Sequence, residues 1–166
     1  MRDKYEMQLR KLHAEMIEMG TMIEQAIETA IKALVAQDTE LAKKAIEADD
    51  AIDHQEREIE NLCLKLFLTQ QPVAGDMRNI SAALKMITDM ERIGDHASDI
   101  SELTLCMAGT PYIKKLEHIQ QMAKETMIML VKSIEAFVNK DIEEADSVIK
   151  RDDVVDDLFS KVKTEL

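Results

Sequence analysis

The chain has 166 residues, 46% of them hydrophobic, 33% charged and 3% aromatic, with a formal net charge of −12. That length suits one ordinary domain or a full and a partial repeat unit. The acidic balance argues against a nucleic-acid partner and against direct contact with an anionic membrane, leaving cations and basic protein surfaces as natural counterparts.

Taken in chain order, the opening Met1-Arg2-Asp3-Lys4-Tyr5 carries no apolar signal region, and the expected location is cytoplasmic. Breaks fall at Gln37-Asp38-Thr39, where Asp38 is placed to cap a helix, at Pro72 before Gly75, and at Gly109 before Pro111. The pattern predicts five helices, over 4–36, 39–69, 74–107, 113–139 and 142–165. The second has the plainest period: Leu41, Ala45, Ala48, Ile52, Gln55, Ile59, Leu62 and Leu66 step by four and three, as a bundle seam does. Helices of about 30 residues would be roughly 45 Å long and lie antiparallel across short links. Cys63 and Cys106 lack metal or redox spacing and read as buried free thiols.

The chain also repeats itself at an offset of 103 residues. Asp38, Ala42, Ile46, Asp49, Asp50 and Asp53 match Asp141, Ala145, Ile149, Asp152, Asp153 and Asp156, and Ile52 falls opposite Val155. The expected architecture is all-α, a repeated antiparallel three-helix bundle with the second repeat truncated: a first unit over 1–109 and a partial second unit over 110–166. The fifth helix would lack one neighbour, its stripe of Val148, Val155, Leu158 and Val162 would be partly bare, and a homo-oligomer is the expected consequence.

Acidic residues recur at helical spacing. Glu91, Asp95 and Asp99 stand one turn apart on one face, and Gly94 inside that helix costs about 1 kcal/mol relative to alanine unless a neighbour comes close there. Asp49, Asp53, Glu56 and Glu60 share a face beside the seam of the second helix, and Asp152 and Asp156 repeat the first pair. Such pairs also occur on solvated faces. Converging from neighbouring helices, they would form a hard oxygen site for Mg, Mn, Ca or iron, with zinc disfavoured for want of His or Cys.

The run Gln70-Gln71-Pro72-Val73-Ala74-Gly75-Asp76-Met77-Arg78, followed by Glu91-Arg92-Ile93-Gly94-Asp95-His96-Ala97, resembles the signature of the PhoU family, as does the duplicated three-helix plan. The resemblance implies a non-enzymatic negative regulator of phosphate uptake and the phosphate-starvation response. Its partners would be a phosphate ABC transporter's ATPase subunit and a sensor histidine kinase, with membrane association only through them. It also implies metal binding (Mg, Mn or Fe) through acidic motifs that carry over to Glu91 and Asp95, to Asp49 and Asp53, and to Asp152 and Asp156. The third helix of the second repeat, with its second Glu/Asp motif, is absent from the sequence. Two other readings compete: a metal-free structural scaffold, and a carboxylate-bridged di-iron protein, against which stands the lack of any Glu three residues before a histidine.

Overall fold

The same local chemistry builds both helix-to-helix turns of the repeat. Gln37 and Lys140 take the left-handed conformation, with φ of 50° and 56°. The amides of Asp38 and Asp141 then reach back to the carbonyls of Ala33 and Ala136 at 3.0 and 2.9 Å, closing the preceding helix. Each aspartate in turn caps the next helix: Asp38 accepts from the Leu41 amide and Asp141 from the Glu144 amide, both at 3.0 Å.

In this computed structural model residues 2–69 and 71–166 are described; Met1 and Gln70, the first residue of the proline-containing run, lie outside them. The elements are α1 (Arg2–Ala36), α2 (Thr39–Glu47), α3 (Asp49–Thr69), α4 (Ala74–Met107), α5 (Glu117–Asn139) and α6 (Ile142–Glu165). No strand occurs among the described residues. Helices α1 to α4 pack as one bundle, α5 lies on α1, and α6 lies on α5.

Two element boundaries differ from the sequence pattern. The helix expected over 39–69 is divided at Ala48, where ψ relaxes to −19° and the Ile52 amide reaches the Ala48 carbonyl only at 3.4 Å. Asp49 and Asp50 are weak helix formers in mid-helix. As the first turn of α3 they meet the positive end of the helix dipole. The helix expected from 113 begins at Glu117, because Lys114 and Lys115 oppose that dipole and Glu117 suits it.

The core follows the seams. On α4 the buried residues Ile80, Ala83, Ile87, Met90, Gly94, Ala97, Ser101 and Thr104 alternate steps of three and four. They meet Leu12, Met16, Met19 and Ile23 of α1 and Ile52, Ile59 and Leu66 of α3, all essentially without solvent exposure. Gly20 lets α5 sit close on α1: a side chain there would collide with Ile134 Cδ1. Helix α6 buries Val148 and Leu158 and leaves Val155 and Val162 half-exposed, so its stripe is covered at alternate positions by α5. Ion pairs Arg151–Glu125 and Lys132–Glu144 span α5 and α6. Cys63 is buried, and burial pushes its thiol up to about 11. Cys106, expected inside, is exposed, because the seam of α4 runs through Ser101 and Thr104 and leaves it outside. No helix among the described residues is long and apolar enough to cross a membrane.

Candidate metal centre

Helices α3 and α4 come together where Ile52 rests on Gly94. A Cβ built on Gly94 would stand 3.2 Å from Ile52 Cγ2 and 3.9 Å from Asp49 Oδ1, so even alanine there would press on the Ile52 side chain. The glycine inside α4 therefore has the packing reason that its helix cost demands.

This close approach carries three carboxylates with it. Asp49 and Asp53 lie either side of Ile52 on α3, and Asp95 follows Gly94 on α4. One oxygen from each lies within 4.8 Å of the others, the only such group of three or more among the described residues. A cation held at 2.0–2.6 Å from each ligand needs ligand oxygens no more than about 5 Å apart. Oδ1 of Asp49 and Oδ1 of Asp53 are buried with no hydrogen-bond partner. A buried anionic oxygen without a donor is costly, and a bound cation is one remedy.

The electrostatics agree with the geometry. Burial, then the charges of Asp95, Asp53, Asp50 and Asp99, hold the Asp49 carboxyl above its ordinary range. Glu91, one turn before Asp95, is raised by burial and then by Asp95, Glu56, Asp53 and Asp49. Glu56 is raised by burial, then by Glu60 and Asp53, with Arg57 opposing and Asp95 adding to the rise. Glu91 and Glu56 thus stand in the field of the trio without joining it. Glu56 was legible only as a member of an acidic face; its i+3 step from Asp53 is the signal that places it here.

The other acidic pair has different surroundings. Asp152 and Asp156 are exposed on α6 and belong to no such cluster. No histidine takes part. His96 is exposed, His118 lies 3.1 Å from Glu165, and His13 packs edge-on against Phe137 with its Nε2 buried and unpartnered. The donor set is all oxygen, which suits Mg, Mn, Ca or iron and lacks the Glu-x-x-His pairs of di-iron bundles.

Comparison with known proteins places the family and the fold. The PhoU domain model matches residues 16–104 and 119–166. A phosphate-specific transport system accessory protein PhoU homolog of Clostridium acetobutylicum is 39% identical over 163 residues, 98% of this chain and 74% of the relative. The corresponding homolog of Aquifex aeolicus is 35% identical, over 96% of this chain and 72% of the relative. Among solved structures, PhoU from Pseudomonas aeruginosa superposes with a TM-score of 0.90 at 27% identity, covering 97% of this chain and 78% of the other. The phosphate transport system regulatory protein PhoU from Streptococcus pneumoniae gives 0.88 at 25% identity, covering 97% and 76%.

Proposed function

The chain belongs to the PhoU domain family, and from that premise we propose that it is a non-enzymatic regulator of phosphate homeostasis. It restrains phosphate uptake and the starvation response by linking a phosphate ABC transporter's ATPase subunit to a sensor histidine kinase. The observation that carries this reading is likeness over nearly the whole chain to proteins named as phosphate-specific transport accessory proteins. The active location is cytoplasmic, with the membrane reached only through the partners.

Metal binding is the second half of the proposal. The trio Asp49, Asp53 and Asp95, with Glu91 beside it, would hold Mg, Mn or iron between α3 and α4. The two buried, unpartnered carboxylate oxygens support this. The cation would neutralise the repulsion and fix the crossing of the two helices, so that metal availability tunes the shape offered to partners. Asp152 and Asp156 would bind only where a further carboxylate-bearing helix faces them.

Thermal melts with Mn and with chelator test the site. A ligand present at 100 times its Kd and bound only by the folded state adds about 2.7 kcal/mol, so Tm should rise clearly with Mn. Asp95→Ala should remove that dependence. Full retention in Asp95→Ala would place the metal elsewhere, and equal melts with and without Mn in the parent would favour the metal-free scaffold. The regulatory role is tested separately, by binding of the ATPase subunit to the full chain.

A further inference from the structure

One end of the first bundle combines exposed apolar side chains with a basic charge balance in an acidic chain. The Gln55 side chain on α3 donates to the Glu15 carboxylate of α1 at 2.7 Å, and Ile52 of α3 lies on Gly94 of α4. With α3 antiparallel to both neighbours, these two contacts set the register. Leu68 then stands at the level of the first turn of α1 and of Arg78 on α4, with Leu64 one turn further in. The start of α1, the end of α3 and the start of α4 thus form a single tip.

Apolar side chains crowd that tip in the open. Leu68 is 83% exposed, Val73 60%, Met7 53%, Met77 49% and Leu64 47%. The charge also reverses. Residues 1–9 and 61–86 hold five Lys and Arg against three Asp and Glu, in a chain whose totals are 21 and 33. Lys4 and Arg78 are both exposed there.

We infer that this tip is the protein-docking surface of the chain, fitted to a partner patch that is apolar at its centre and acidic at its rim; this rests on the adaptor reading above. Exposed apolar groups gathered at one place mark interaction sites, and methionine suits a surface that must adapt to its partner. A basic tip on an acidic body orients the approach: it is drawn to an acidic patch while the remainder of the molecule is repelled. The chain has no Trp, Tyr5 is buried and Phe67 is half-buried, so the tip lacks the aromatic anchors of a lipid-seated surface.

The test is binding of the full chain to the transporter's ATPase subunit, with three variants of unchanged Tm. Leu68→Ser/Met77→Ser and Lys4→Glu/Arg78→Glu alter the tip, and Ile113→Ser, 94% exposed beyond the far end of α4, serves as control. Both tip variants should bind about tenfold more weakly, the charge-reversed one mainly through slower association and by a margin that shrinks with salt. The control should bind like the parent. Parent binding that survives both tip variants overturns the docking surface and leaves the adaptor reading standing. No binding by the parent removes the adaptor reading and this surface together. Partition of the parent onto anionic phosphatidylserine vesicles, abolished by Lys4→Glu/Arg78→Glu, would assign the tip to lipid and overturn the protein partner.

Discussion

Helix pair α2–α3 and helix α6 carry the same sequence pattern in two settings. Their entry turns agree nearly atom for atom, down to left-handed residues at Gln37 and Lys140 and capping bonds of 3.0 Å. Four turns on, they part. Ile52 is buried against Gly94 of α4 and its flanking aspartates converge with Asp95, whereas Val155 is half-exposed and Asp152 and Asp156 face solvent. The repeated carboxylate pair is thus no site by itself. Burial against a third helix is what turns a solvated pair into an unpartnered, mutually repelling cluster.

The largest expected effect lies at that point of divergence. Ile52→Ala empties a fully buried position and should cost about 2–5 kcal/mol. Val155→Ala, its repeat mate, removes two half-buried methyl groups and should cost roughly 1 kcal/mol or less. Urea unfolding of the two variants, compared at constant m, measures the difference. Equal costs would mean that α6 is packed as α3 is.

At the turns the comparison should close instead of widen. Asp38→Ala and Asp141→Ala each delete one capping acceptor and should each cost about 1 kcal/mol. A cost at Asp38 well above that at Asp141 would show the two turns to be unequal in spite of their geometry.

The first of these turns is legible because capping is local, an aspartate before a helix former; the second is read only through the match of Asp141 to Asp38 in the repeat, and neither Gln37 nor Lys140 announces its left-handed conformation. The seam through Ile52, Ile59 and Leu66 was legible for a similar reason, since periodicity needs no partner. Gly94 was a non-local clue, readable because its cost in a helix demands a close neighbour. The break at Ala48 is not legible, since neither Gly nor Pro marks it; only two adjacent aspartates do. The exposure of Asp152 and Asp156 was hidden too, because identical spacing says nothing about what faces it. The apolar basic tip was dispersed over three segments that only the bundle's register joins.

The smallest expected effect is one of sign. Burial and the charges of Asp95 and Asp53 hold Asp49 above the ordinary carboxyl range, so the folded chain binds its proton more tightly than the unfolded chain does. Stability from this group is complete below about pH 4, where a free carboxyl titrates, and is lost as pH rises through the raised value. At neutral pH without metal, Asp49 therefore weakens the fold. Asp49→Asn should raise the metal-free Tm by a few degrees, flatten its fall with pH above about 4, and abolish stabilisation by Mn. Asp152→Asn, on a solvated face, should leave all three unchanged. Melts across pH, with chelator and with Mn, separate the cases. A metal-free Asp49→Asn that melts below the parent would mean that the Asp49 carboxylate is satisfied by the chain itself, and that the cluster holds together without a cation.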